Sequence, residues 1–231
     1  MYTQLNIFLI LIIIYLILEI LSNNVGYLSY RLGDTIRGYF YNDNRKFLLN
    51  YWYPIYYHNS LATKYLKATR NLPNNERFNN LNVLDKISNS DKKLDVSLHL
   101  RLGDVIGNFD KKKKIFNQRS GNKKITYFYQ PNSYIKIAKK LNEMNINKVH
   151  VFYGSHTNKF DDNNKLYVNK IKKIFEQYNI KFINNSTNNA DKDFKLMSNS
   201  KIFIQSGGGY SQLIAQLVSK RGNTVIVPDK V

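Results

Sequence analysis

Apolar residues in the second half of the chain follow two alternating patterns. Short apolar runs are typical of buried strands, and apolar residues that recur every three or four positions are typical of amphipathic helices. Strands are predicted at residues 96–100, 149–153, 181–183, 202–204 and 224–227. Helices are predicted between them, at about 131–144, 167–178, 191–197 and 213–218. This order predicts an α/β fold with a mostly parallel, Rossmann-type sheet that binds ligands at the carboxyl ends of its strands.

The first predicted strand ends in a polar motif, His99-Leu-Arg-Leu-Gly-Asp104. The guanidinium of Arg101 can bind two phosphate oxygens at once. Gly103 allows a sharp turn, and Asp104 can hold Arg101 in position. The motif therefore suits a diphosphate, although a structural Arg–Asp pair at a strand end is an alternative interpretation.

A second motif, Ser206-Gly-Gly-Gly-Tyr-Ser211, lies between the strand at 202–204 and an amphipathic helix. A glycine loop between a strand and a helix N-terminus favours anions, because free N–H groups and the helix dipole point at the loop. The motif is neither a Walker A loop, since no lysine follows the glycines, nor GxGxxG, since Gln212 occupies the last glycine position. A tight turn is the alternative. Phosphate binding is favoured, because Gly207, Gly208 and Gly209 between two serines exceed what a turn requires.

Both motifs support a resemblance to a known family. His99–Asp104 resembles the HxRxGD motif of the α1,2-, α1,6- and protein O-fucosyltransferase superfamily. Residues 193–198 and 201–215 resemble the later motif of the same superfamily, and the match covers about residues 94–228. Leu102 stands where the family usually has a second arginine, and the glycine triplet replaces its more usual Ser/Phe-containing loop.

The resemblance implies a GT-B-like enzyme that transfers fucose from GDP-fucose to a glycan or protein, by inverting displacement without a metal or other cofactor. It implies that Arg101 contacts the diphosphate and that Asp193, or next Asp191, recognises guanine. His99 is expected to line the nucleotide site. The charge on the leaving diphosphate would be stabilised by Arg101, by the glycine amides and by the hydroxyls of Ser206 and Ser211.

The general base is not assigned by any motif; Asp34 is a guess from its position in the other domain, and Asp104 is expected to be structural. Two alternatives remain open. One is a GT-B transferase that uses another nucleotide sugar, and the other is a noncatalytic membrane-anchored protein that binds a nucleotide or a glycan.

The first part of the chain has a different pattern. Residues 5–21 are almost entirely apolar, and seventeen residues is the short limit for a membrane span. No basic residue precedes them, which favours a signal anchor over a cleaved signal peptide or a buried helix. The predicted organisation is a single-pass anchor at 1–25, a reduced acceptor-side α/β domain at 26–95, and a nucleotide-sugar-binding domain at 96–231.

The side of the membrane is not determined by the charges flanking this segment, which alone would allow the cytosol. The fucosyltransferase resemblance implies the lumen of the secretory pathway. Asn184 and Asn185 begin overlapping N-glycosylation sequons, which a lumenal domain would expose to modification.

The formal net charge of +19 raises the question of nucleic-acid binding. The charge is spread along the chain, with one block at 111–114, and no nucleic-acid-binding motif is present, so no nucleic-acid partner is predicted. The block is interpreted as a solvated loop, or next as a patch that attracts an anionic lipid or a nucleotide. The chain has no cysteine and no DxD motif, and its histidines are not spaced as ligands, so no metal site is predicted. Asp161 and Asp162 are interpreted as an exposed loop pair, with cation binding as the alternative.

Overall fold

The computed structural model describes residues 60–69, 71–73, 76, 80–119, 126–154, 160–187 and 189–231. The predicted anchor at 1–25, the candidate base Asp34 and most of the predicted domain at 26–95 lie outside these residues. Within them, no helix combines the length and the apolar character needed to cross a membrane. The chain divides into two compact units, Met1–Ile87 and Ser88–Val231.

The described residues of the first unit include helix α1 (Leu61–Thr69) and all but the last residue of a second helix, α2 (Leu81–Ser88). Ser60 caps the start of α1, because its hydroxyl accepts the Thr63 N–H at 3.1 Å. Asn80 caps α2 by accepting the Val83 N–H at 3.1 Å, and its own N–H donates to the Tyr65 hydroxyl at 2.7 Å. Polar residues at the helix starts therefore satisfy amides that lack a helical partner.

The second unit alternates strands and helices, as predicted. Its strands are β1 (Leu94–Arg101), β2 (Ile106–Asp110), β3 (Ile115–Gln118), β4 (Lys148–Gly154), β5 (Lys181–Asn184), β6 (Ser200–Ile204) and β7 (Thr224–Ile226). Its α-helices are α3 (Ile135–Glu143), α4 (Asp162–Gln177), α5 (Ala190–Ser198) and α6 (Gly209–Lys220), and short 3₁₀ helices cover Pro131–Tyr134 and Pro228–Lys230. The first turn of the helix predicted at 131–144 is thus 3₁₀ rather than α.

Five of the strands form one parallel sheet in the order β5-β4-β1-β6-β7. The chain runs outward from β1 to β4 and β5, and then returns to the other side of β1 for β6 and β7. Right-handed crossovers therefore place α3 and α4 on one face, and α5 and α6 on the other. The direction reverses between β1 and β6, and this switch point is where doubly wound sheets bind ligands, at the carboxyl ends of the strands.

The basic segment after β1, predicted as a loop, is an antiparallel hairpin of β2 and β3. Phe109 pairs with Phe116 across the hairpin, with ring centroids 4.9 Å apart. The Phe116 ring also meets the Tyr167 ring of α4 edge-on at 5.2 Å. Burial of these rings holds the hairpin against α4, and the four lysines at 111–114 form only its turn.

The main hydrophobic core lies between the sheet and the α3–α4 layer. Val96, Leu98 and Leu100 of β1 are fully buried there, together with Ile137 of α3 and Ile171 of α4. Because side chains alternate along a strand, His99 and Arg101 point to the opposite face, which α5 and α6 cover. This alternation orients the predicted site residues of β1.

Candidate functional site

The two motifs found in the sequence meet at the switch point of the sheet. The Arg101 N–H at the end of β1 donates to the Ser206 hydroxyl at 3.1 Å, and the Ser206 N–H donates to the Ser211 hydroxyl at 2.9 Å. Both serines are fully buried. Their hydroxyls, predicted to stabilise the diphosphate, join the end of β1 to the loop before α6. Their role toward a diphosphate stays a prediction.

Arg101 and Asp104 form the predicted pair. A guanidinium nitrogen of Arg101 lies 2.8 Å from a carboxylate oxygen of Asp104, and the two side chains are 15% and 37% exposed. The contact with Asp104 and the burial of most of the Arg101 side chain orient the guanidinium. Since the group carries five N–H donors, it can bind Asp104 and a second anion together.

Gly103 gives the loop its turn, with a φ of +83°, a conformation that favours glycine. Its N–H donates to the buried side-chain oxygen of Asn164 at 2.7 Å. The Asn164 amide in turn donates to Asp161 at 2.6 Å. The loop after β1 is therefore anchored to the start of α4. Asn164 was not predicted from the sequence, although the spacing of Asp161 and Asn164 is a helix N-cap pattern.

Asp161 is the N-cap of α4 and accepts the backbone N–H of Asn164 at 3.0 Å. It also binds Arg119 at 2.5 Å. Burial raises the pKa of Asp161, but the hydrogen bonds from Arg119 and Asn164 outweigh this effect and lower the pKa to about 2. Asp162 belongs to the helix and pairs with Lys165 at 3.1 Å. Asp162 is exposed, as expected from the sequence, but the two residues are the N-cap and the first residue of α4 rather than a loop pair.

Packing and backbone geometry account for two of the three consecutive glycines. A Cβ at Gly207 would overlap the carbonyl oxygen of Thr126 and lie 2.5 Å from the Cα of Tyr127. Gly208 has φ +83° and ψ 163°, where side chains are strained, and it is the N-cap of α6. Gly209 begins α6. The glycines predicted to serve phosphate binding are thus also required by the fold at positions 207 and 208.

The start of α6 keeps the electrostatic character of an anion site. The amides of its first turn, beginning at Gly209, have no carbonyl one turn earlier in the helix to bond. Together with the aligned peptide dipoles, they favour negative charge at this end of the helix. Gly208 and Gly209 are partly exposed, whereas Gly207 is buried.

An aromatic cluster lies beside this loop. The ring centroids of His99 and Tyr210 are 5.3 Å apart, and those of Phe194 and Tyr210 are 5.6 Å apart. The Tyr210 hydroxyl donates to the Ala190 carbonyl at 2.6 Å. Burial, together with the charges of Asp193 and Asp191, raises the pKa of Tyr210 well above its usual value. Tyr210, a residue of the glycine motif that was not predicted as a site residue, contacts β1 and α5 from the start of α6 as a neutral phenol.

The predicted guanine-binding residue Asp193 is buried and hydrogen-bonded within the protein. Its carboxylate accepts the Thr187 hydroxyl at 2.7 Å and the Thr187 N–H at 3.1 Å. Burial raises the pKa of Asp193, and the hydrogen bonds from Thr187 oppose that rise. The structure therefore places Asp193 near Tyr210, with its oxygens bound to Thr187.

All of the predicted binding residues lie around the carboxyl ends of β1 and β6 or at the start of α5. Across the described segments, no group of three or more acidic, histidine or cysteine side chains is arranged to hold a metal ion. Comparisons with known proteins give no relative to set beside this geometry. No family model, no curated protein and no solved structure matches the chain.

Proposed function

We propose that the protein is a glycosyltransferase that moves fucose from GDP-fucose to a glycan or protein acceptor, by inverting displacement without a metal. The observation that carries the proposal is the hydrogen bond from the Arg101 N–H to Ser206 at the switch point of the sheet. It brings an oriented guanidinium and a helix N-terminus to the place where doubly wound sheets bind nucleotides.

The reaction separates charge at the sugar–phosphate bond. An acceptor hydroxyl attacks the anomeric carbon from the side opposite the diphosphate, the carbon–oxygen bond to phosphate breaks, and its electrons leave with the nucleoside diphosphate. Arg101, held by Asp104, and the amides at the start of α6 would stabilise this negative charge. A base removes the proton of the acceptor hydroxyl, and Asp34 is the candidate from the sequence.

We also propose where in the cell the protein is located. The apolar segment at 5–21 would anchor the chain as a single-pass membrane protein with its catalytic part in the lumen of the secretory pathway. The overlapping sequons at Asn184 and Asn185 are consistent with a lumenal domain. Asn184 is exposed, whereas Asn185 is half-buried and lies 3.0 Å from a ring nitrogen of His150.

A second candidate is a transferase of the same type with another nucleotide sugar. The contact between Asp193 and Thr187 favours it, because the buried carboxylate already has hydrogen-bond partners within the protein and does not depend on guanine for them. UDP or CMP would not require this carboxylate. The base preference of the protein therefore separates the two candidates.

The test is calorimetric titration of the full chain with GDP, UDP, CMP and ADP. We expect GDP to bind at least about tenfold more tightly than ADP, because guanine offers the N1–H and N2–H₂ donors to the Asp193 carboxylate, whereas adenine has an acceptor at N1 and no 2-amino group, and a hydrogen bond to a charged group contributes about 1.5–3 kcal/mol. Asp193→Ala should remove this preference and keep part of the diphosphate affinity. A preference for UDP or CMP would establish the second candidate instead.

The arginine is tested separately. Arg101→Lys should lose most of the GDP affinity, because a point charge does not replace a two-pronged donor. Arg221→Lys is the matched control, since Arg221 lies at the opposite end of α6 and donates to the Ser198 carbonyl at 2.7 Å. Unchanged GDP binding by a folded Arg101→Ala variant would overturn the proposal. Fucosyl transfer should also survive excess EDTA, and its loss on chelation with recovery in Mn²⁺ would contradict the metal-free mechanism.

A further inference from the structure

A lysine-lined cleft lies away from the switch point. Its volume is about 400 Å³, and the turn of the β2–β3 hairpin, the 3₁₀ helix Pro131–Tyr134 and the C-terminal half of α4 form its walls. Helix α4 begins beside the loop of Gly103 and runs antiparallel to the strands. The cleft is therefore at the end of the helix remote from the proposed nucleotide site.

Four lysines line this cleft: Lys111 and Lys114 from the hairpin turn, and Lys170 and Lys173 from α4. Lys170 and Lys173 are three residues apart and so share one face of the helix. The lining residues that the structure describes include no aspartate or glutamate. The cleft therefore concentrates positive charge without an acidic wall to neutralise it.

Other lysines of α4 are paired. Lys172 lies 3.6 Å from Glu176 and Lys165 lies 3.1 Å from Asp162, whereas the ion pairs found among the described residues do not include the cleft lysines. The carboxylates of Asp162 and Glu176 on α4 therefore pair with lysines outside the cleft. The charges of the cleft lysines are available to bind an anion.

A local contact holds one cleft lysine in place, and hydrogen bonds fix the turn that carries two others. The Lys170 ammonium lies 4.3 Å from the ring centroid of Phe109, a cation–π contact that also keeps its stem packed. The Asp110 carboxylate accepts the N–H groups of Lys112 and Lys113 at 2.9 and 3.0 Å, which fixes the turn. Lys114 has φ +55°, a left-handed conformation that costs a lysine on the order of 1 kcal/mol. The turn thus presents a lysine where glycine would be less strained.

We propose that this cleft binds a multiply phosphorylated group, with its phosphates on the four ammonium groups. Four positive charges match about two phosphate dianions at neutral pH, and the volume is that of a small-ligand site. Phe109 and Ile174 supply an apolar surface for the carbon skeleton of the ligand. A concave cleft of this size favours a compact ligand over nucleic acid, which requires an extended basic stripe.

Inorganic tripolyphosphate is the probe, titrated calorimetrically into the full chain at low and at physiological salt. All proteins carry Arg101→Ala, so that the proposed diphosphate site does not contribute and the two proposals fail independently. We compare Lys111→Ala/Lys114→Gly with Lys112→Ala/Lys113→Ala. Both remove two charges from the same turn, and glycine suits the backbone at 114. The first pair should weaken binding about tenfold or more, because each lost charged hydrogen bond costs about 1.5–3 kcal/mol.

The control pair should weaken binding by less than about threefold, since only long-range attraction changes. Equal losses in the two pairs would show that the net charge attracts the probe, and absence of binding to the Arg101→Ala parent would also overturn the proposal. Helix variants repeat the comparison: Lys170→Gln/Lys173→Gln should lose affinity, and Lys165→Gln/Lys172→Gln should retain it.

Vesicles distinguish a free ligand from a lipid headgroup. The full chain and its Lys111→Ala/Lys114→Gly variant share the same N-terminal segment, so their difference reports the cleft alone. Weaker retention of the variant on phosphatidylinositol 4,5-bisphosphate vesicles, with equal retention on phosphatidylserine vesicles, would identify a phosphorylated headgroup. Equal retention on both would identify a soluble phosphorylated molecule, provided that tripolyphosphate binding depends on the cleft lysines.

Discussion

Replacement of Gly207 by alanine tests the packing of the glycine loop directly. The added methyl would overlap the backbone of Thr126 and Tyr127, with 2.5 Å to the Tyr127 Cα. Since both sides of this contact are backbone, no side-chain rotation relieves it. Moving one segment away from the other should cost about 3 kcal/mol. For a chain of this size, that corresponds to a fall in Tm of about 6–12 °C.

Two other glycines calibrate the effect. A methyl at Gly222 meets no atom within 4 Å, so Gly222→Ala reports only the strain of φ +74°, about 1 kcal/mol. Gly208→Ala adds strain at φ +83° and ψ 163° and should cost about 2 kcal/mol. Thermal and urea unfolding of the full chain measure the three variants. If Gly207→Ala is no more destabilising than Gly222→Ala, the described contact with residues 126–127 is wrong.

Three further predictions concern the surroundings of the site. Asn164→Ala should destabilise the protein by about 1–3 kcal/mol in urea unfolding, because it leaves the Gly103 N–H without its buried acceptor. The pKa of Asp161, about 2 when folded against 3.8 ordinarily, means that its ionised form contributes stability above about pH 4. Solvent screening at a side chain that is 35% exposed reduces this contribution to about 1 kcal/mol. It should be lost as the pH falls from 4 to 2, and it should be absent in Asp161→Asn. If the variant loses stability with falling pH just as the parent does, the role of Asp161 as a cap is wrong. After expression through a eukaryotic secretory pathway, a glycosidase-sensitive mass increase should disappear in Asn184→Gln/Asn185→Gln, whereas an unmodified domain that protease reaches outside sealed microsomes would place it in the cytosol.

The elements of the sheet could be predicted because each strand is short, apolar and bounded by polar residues. Predicted and observed strand bounds differ by at most two residues. The hairpin of β2 and β3 was missed because the lysines of its turn dominate the local composition. The rings of Phe109 and Phe116 pack together across the hairpin, and Phe116 packs against Tyr167 of α4. This contact between distant segments cannot be predicted from the local sequence.

The roles of individual site residues were less accessible from the sequence. The order of motifs indicates that Arg101 and residues 206–211 end or follow strands, but it does not state that those strands are neighbours. The burial of Ser206 and Ser211 depends on that adjacency, since the Ser206 hydroxyl accepts an N–H from another strand. Asp193 likewise has a partner, Thr187, that lies six residues away but on a different element.

The sequence alone determined the alternation of strands and helices, the position of both motifs at strand ends, and the turn conformation required at Gly103. These properties depend on local periodicity and on the backbone preferences of single residues. The tertiary structure decided the order of the strands, the contact between the two motifs, and the close packing that requires Gly207. These properties depend on hydrogen bonds and contacts between segments that are far apart in the sequence, which no local pattern encodes.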